Sequence, residues 1–201
     1  MKKQIVLIHG GETFETQQEY VEYLRVCQID FKNLQAKKWK DSFAQMLGED
    51  YEVIQPRMPN ALNAKYAEWK IWFEKFLPIL KEDVVLIGHS LGGIFLARYL
   101  SENIMPVRVR ATILIAAPYD AEGSPYSLAD FVLPVSLEKL DSQGGQVYII
   151  HSKDDSVVKF EDAQYYVKRL PSAHQITFEN RDHFSQETFP ELVTLVKDLT
   201  Q

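Results

Sequence analysis

The chain has 201 residues and a formal net charge of −6, which argues against a nucleic-acid-binding surface as its main business. Hydrophobic residues at 46% and charged residues at 25% exclude a disordered polymer and fit one soluble domain spanning residues 1–201. Cys27 is the only cysteine, so an internal disulfide and a paired-cysteine zinc site are both excluded, and a reducing, cytoplasmic setting is expected.

The segment Lys2-Lys3-Gln4-Ile5-Val6-Leu7-Ile8 begins like a signal peptide, but its apolar run is too short for an h-region or a membrane span. It reads as a first strand, Gln4–Ile8. Residues 12–50 carry more chain than one crossover helix needs, and helices are expected around Tyr20–Val26 and Lys38–Leu47. The basic run Lys37-Lys38-Trp39-Lys40 fits a solvated helix face. A strand at Tyr51–Gln55 comes next, then a helix capped by Asn63 that runs through Trp69, Phe73 and Phe76 to near Pro78. Val84–Ile87 is a strand, Leu91–Leu100 an apolar helix and Thr112–Ala116 another strand. Residues 117–145, with Pro118, Gly123, Pro125, Pro134, Gly144 and Gly145, read as a long, partly irregular loop. Strand Gln146–Ile150, helix Glu161–Leu170 stopped by Pro171, strand Gln175–Phe178 and helix Phe189–Leu199 complete the chain. This alternation predicts an α/β fold with a mostly parallel sheet. Ile5–Ile8, Val84–Ile87 and Ile113–Ala116 are continuous apolar runs, as strands covered on both faces require.

Within this frame Gly88-His89-Ser90-Leu91-Gly92 has the form Gly-x-Ser-x-Gly between a buried strand and a buried helix. A serine on such a tight turn projects its hydroxyl above the sheet, and the helix start aims free N–H groups at an oxyanion. Ser90 is the candidate nucleophile. Its base and acid should follow strands, because ligand-facing groups gather at the carboxyl ends of a parallel sheet. His183 follows Gln175–Phe178, and Asp154-Asp155 follows Gln146–His151, with Asp120 a third acid. His174 precedes its strand and belongs at the opposite edge. His9 and His89 are assigned to loop support, and His151 to shaping the acid loop. Ile8-His9-Gly10-Gly11-Glu12 follows the first strand, and its glycines let amides converge, so the Leu91 amide and one near Gly11 are expected to form an oxyanion hole.

On Ile8-His9-Gly10-Gly11, Gly88-His89-Ser90-Leu91-Gly92-Gly93, Ser152-Lys153-Asp154-Asp155-Ser156-Val157-Val158 and Asp182-His183-Phe184, the chain resembles the α/β-hydrolase superfamily. It looks most like the small serine hydrolases related to retinoblastoma-binding protein 9 and the YdeN-type proteins. The resemblance implies a roughly six-stranded sheet with helices on both faces and no separate lid domain. It favours Asp155 over Asp154 as the acid, through the valine three residues on, although Asp154 with Val157 fits the same spacing. The segment 12–50 is longer than in those proteins. Glu12, beside the oxyanion turn, would repel a negative intermediate unless it points away, and would bias the site against anionic substrates.

The expected activity is hydrolysis of a small ester or thioester through Ser90, His183 and Asp155, with no metal and no organic cofactor. The expected partner is therefore a small-molecule, ester-type substrate. Phe14, Tyr119, Tyr126, Phe131 and Phe184 are the aromatic residues expected near the mouth. The rival readings are a hydrolase-fold binding module with vestigial catalysis, and acyl transfer or C–C bond chemistry on the same three residues.

Overall fold

A computed structural model describes residues 2–120, 124 and 126–201. Gly123 and Pro125 of the expected loop lie outside them. Six strands form one parallel sheet: β1 (Lys3–Ile8), β2 (Tyr51–Ile54), β3 (Val84–His89), β4 (Val109–Ile115), β5 (Gln146–Ser152) and β6 (His174–Phe178), in the order β2-β1-β3-β4-β5-β6. Each expected strand is present, displaced at its ends by no more than a few residues.

The pleat sorts the apolar runs between two cores. Val6 and Ile8 face one side with α4 (Tyr66–Glu74), α5 (Leu91–Glu102), α6 (Glu138–Gln143) and α7 (Phe160–Arg169). Ile5 and Leu7 face the other with α3 (Trp39–Leu47) and α8 (Pro190–Leu199). Successive strand side chains point to opposite faces, so a run apolar at every position must be covered on both. The extra length of residues 12–50 goes into α1 (Gln17–Val26), which buries none of its residues, and the short α2 (Phe31–Gln35).

Two local expectations differ from the structure. Asn63 does not cap α4: the helix starts at Tyr66, and its first N–H donates to both carboxylate oxygens of Asp130, at 3.1 and 3.0 Å. The cap thus comes from a loop 64 residues away, which local sequence cannot announce. The helix also ends at Glu74, with a short 3₁₀ turn at Leu77–Ile79 completing the path to β3. Among the described residues, no helix is long and apolar enough to cross a membrane.

The strand order fixes where a site forms. The chain leaves β1 for β2 on one side and returns to β3 on the other, so the loops after β1 and β3 diverge and leave a crevice at their carboxyl ends. Gly10-Gly11 and Ser90 occupy those two loops.

Candidate active site

Ser90 joins β3 to α5 with φ 56° and ψ −124°, a conformation that costs a residue with a side chain about 1–3 kcal/mol. The turn is secured by its neighbours: the Ser90 N–H donates to the Ile115 carbonyl at 2.8 Å, and the Ser90 carbonyl accepts from Gly93 N–H at 2.8 Å. Its tightness depends on Gly88, where a Cβ would stand 2.3 Å from the Gly92 carbonyl oxygen. Gly10 approaches from the facing loop, and a Cβ there would come within 3.0 Å of Ser90 Cβ. Bare backbone at that point leaves the hydroxyl open.

A cavity of about 380 Å³ lies over the serine, within the size range of small-molecule sites. The loop after β1, Leu91, Tyr126-Ser127-Leu128, Val157-Val158 and His183-Phe184-Ser185 form most of its wall. Among the described residues, the Leu91 and Gly11 amides donate to no protein carbonyl. The Glu12 amide, in contrast, is committed to the Ala61 carbonyl at 2.8 Å.

His183 and Asp155 meet beside this cavity. The imidazole Nδ1 lies 3.1 and 3.0 Å from the two oxygens of Asp155, whose side chain is fully buried. Asp155 Oδ1 also accepts the Val157 and Val158 N–H groups, both at 2.9 Å. An anion thus held calls for a proton on Nδ1 and leaves Nε2 free. Asp154 turns the other way, accepting the Asp182 N–H at 3.0 Å and the Ser152 hydroxyl; that hydroxyl, first among its partners, holds the Asp154 carboxyl below its usual pKa. It is exposed, as a turn carboxylate should be, but it braces the base loop. Asp182 returns the brace by accepting from the Ser156 amide and hydroxyl at 2.8 and 2.7 Å. Asp120 lies in charge range of Asp162 on α7.

The remaining histidines sort by their partners. His9 Nε2 accepts the Met58 N–H at 2.9 Å, and Nδ1 faces the Gly10 carbonyl at 2.6 Å. His151 Nε2 meets the Val158 carbonyl at 3.0 Å, within the acid loop. His174 opens β6 opposite Tyr148, at the amino edge of the sheet. His89 is more than a turn residue. Its Nδ1 lies 2.9 Å from the Lys40 ammonium and its Nε2 lies 3.0 Å from the His183 carbonyl. Burial, reinforced by the charge of Lys40, pushes the His89 pKa well down. The ring is therefore neutral, accepts from Lys40 and donates to His183.

Lys40 corrects the reading of the basic run as a solvated face. Lys37 and Lys38 are exposed, although Lys38 also lines the cavity, whereas Trp39 is buried and Lys40 is half-buried in the cavity wall. Trp39 Nε1 donates to the Phe184 carbonyl and its N–H to the Gln186 carbonyl, both at 2.9 Å. The start of α3 therefore grips the loop that carries His183. Nothing in the local pattern separates Lys40 from its hydrated neighbours. Glu12 also lines the cavity; burial raises its pKa, and the nearby His183 charge lowers it in part. Of the five aromatic residues expected at the mouth, Tyr126 and Phe184 line the cavity. Phe131 packs against Tyr66 and Trp69, Phe14 against Tyr20 and Tyr23, and Tyr119 against Tyr165 and Tyr166.

Residues 28–190 match a family model described as serine hydrolase. Among curated proteins, none matches the chain. The fold is similar to that of the ydeN gene product from B. subtilis (TM-score 0.71, 18% identity, covering 99% of each chain). It is also similar to a putative YdeN-like hydrolase from Pectobacterium atrosepticum (TM-score 0.64, 14% identity, 99% of this chain and 91% of that one). A meta-cleavage product hydrolase from Pseudomonas fluorescens shares it as well (TM-score 0.64, 16% identity, 98% of this chain and 90% of that one). At these identities the likeness is one of fold.

Proposed function

Because this chain belongs to the serine hydrolase family, we propose that it cleaves small carboxylic esters or thioesters through Ser90, His183 and Asp155, with an acyl-enzyme intermediate, as one domain in a reducing, cytoplasmic setting. The observation that carries this reading is the buried Asp155 carboxylate against His183 Nδ1, beside a cavity lined by a serine on a strained turn.

Asp155 fixes the imidazole with its proton on Nδ1, so the basic Nε2 is the nitrogen available to Ser90. His183 takes the hydroxyl proton as Ser90 Oγ bonds to the substrate carbonyl carbon. The oxygen of that carbonyl gains the negative charge, and the uncommitted Leu91 and Gly11 amides hold it. His183 then gives its proton to the leaving oxygen or sulfur, which departs with its bonding electrons. Water repeats the sequence on the acyl-enzyme and restores Ser90. Asp155 stabilises the imidazolium throughout, and Glu12, in electrostatic reach of His183, adds to that effect.

The test is labelling with a neutral fluorophosphonate and peptide mapping, with wild type beside Ser90→Ala and His183→Ala. Labelling at Ser90 that both substitutions abolish is the expected result, together with a fall in ester turnover of roughly 10⁴-fold or more in each variant. Folded wild type that takes no label would remove the activated nucleophile and favour a binding role.

A further inference from the structure

Lys40 carries a charge that no nearby carboxylate answers, although its Nζ lies 5.7 Å from the centre of the Trp39 ring. Its Nζ is 2.9 Å from His89 Nδ1; among the described residues no carboxylate stands at ion-pair distance from it. Asp41 acts on it at longer range, and the Asp41 carboxylate accepts the Lys38 N–H at 2.8 Å. Glu12 sits elsewhere in the wall, in range of His183 and Tyr23. Burial, with Lys38 adding to it, lowers the Lys40 pKa to about 8, as expected of an ammonium lacking a counter-charge. An ammonium has three N–H groups; one is directed at His89, which leaves two for the cavity that Lys40 lines.

Position identifies what those donors would meet. In ester cleavage the base returns its proton to the leaving atom, so the leaving group lies against His183. Lys40 joins His183 through His89, and its neighbour Trp39 is bonded to Phe184 and Gln186. Lys40 and His183 thus line the same cavity, with the start of α3 packed against the loop that carries the base. We propose that Lys40 binds a carboxylate on the leaving alcohol or thiol, so that the substrates are esters of hydroxy acids or thioesters of mercapto acids. Two N–H groups on one ammonium suit the two oxygens of one carboxylate. This inference rests on the Ser90 hydrolase reading. It also reverses the bias against anions that Glu12 alone suggests. The carboxylate takes no part in bond making: the acyl C–O bond breaks, the Ser90 Oγ–C bond forms, and the Ser90 proton leaves on the alcohol oxygen.

The test compares 3- and 4-acetoxybenzoate with their methyl esters at the benzoate carboxyl, using kcat/KM normalised to hydroxide-catalysed rates. Wild type is expected to favour at least one anion over its neutral partner by about tenfold or more, the scale of a charge-assisted hydrogen bond. Lys40→Met should bring that ratio to about one or lower, and Lys40→Arg should keep most of it. Loss of the Lys40–His89 bond slows both esters alike, so a purely positioning role leaves the ratio unmoved. A wild-type enzyme that labels at Ser90 and cleaves the neutral esters without preferring either anion overturns the Lys40 assignment alone. A preference that survives Lys40→Met does the same. Absence of both labelling and turnover overturns the hydrolase reading, and this inference with it.

Discussion

Asp155 turns its carboxylate inward, where the Val157 and Val158 amides and the His183 ring share its oxygens, while Asp154 turns outward to Ser152 and Asp182. Replacing the two by asparagine should therefore give different phenotypes. In Asp155→Asn an amide N–H₂ confronts either the imidazole or the two backbone donors, and the charge that stabilises imidazolium is gone. Turnover is expected to fall ~10³-fold or more. Asp154→Asn should stay within about tenfold of wild type and melt a few degrees lower, since it loosens only the brace to the base loop. Steady-state kinetics and thermal melts on both variants decide this, and equal losses of kcat would contradict it. Sequence alone leaves the pair unresolved, because each aspartate has a valine three residues on. Backbone direction separates them, by aiming one carboxylate at the amides. Ser90 and His183 stand out earlier because each belongs to a recognisable turn after a strand. Lys40 does not, because what makes it unusual is the loop packed against its helix.

At the scale of elements, α3 and the loop after β6 behave as a unit. Trp39 fills the core on one face of the sheet and at the same time holds Phe184 and Gln186 by their carbonyls. Trp39→Phe keeps most of the apolar volume and removes the indole donor. The expected result is a stability loss of about 1–2 kcal/mol and a fall in kcat of roughly tenfold, with the sheet intact by circular dichroism. Unchanged kcat in that folded variant would show that the clamp does not position His183. The central strands β1, β3 and β4 are legible because burial on both faces dictates their continuous apolar runs. The start of α4 is not, since its cap is Asp130, brought in by tertiary structure. The short α2 and α6 are missed for a related reason: helices of so few residues have little periodicity to show.

At the scale of the whole molecule, the switch in strand order gathers loops from distant parts of the sequence at one edge of the sheet, and buried polar groups hold the rest of that edge in place. Asp162 on α7 is one of them. It is 3% exposed and accepts the Tyr119 N–H at 3.1 Å, and burial raises its pKa to about 6. In the unfolded chain an aspartate titrates near 3.9, so between about pH 4 and 6 the folded state binds the extra proton. Stability from this group therefore falls as pH rises through that window. Asp162→Asn, which keeps an oxygen for the Tyr119 N–H, should gain about 1–2 kcal/mol relative to wild type on going from pH 4.5 to pH 7. Urea unfolding at the two pH values measures the difference, and a variant that tracks wild type at both would refute it.

The left-handed backbone at Ser90 has a consequence for how such a chain can change over generations. Glycine would relax φ and ψ there at no steric cost, and strain of 1–3 kcal/mol is a sizeable part of the net stability of roughly 5–15 kcal/mol typical of a folded protein. Drift under selection for folding alone would favour replacing this serine. Its persistence in a lineage would thus require selection on the chemistry itself, and descendants that lose their substrate should lose this residue among the first.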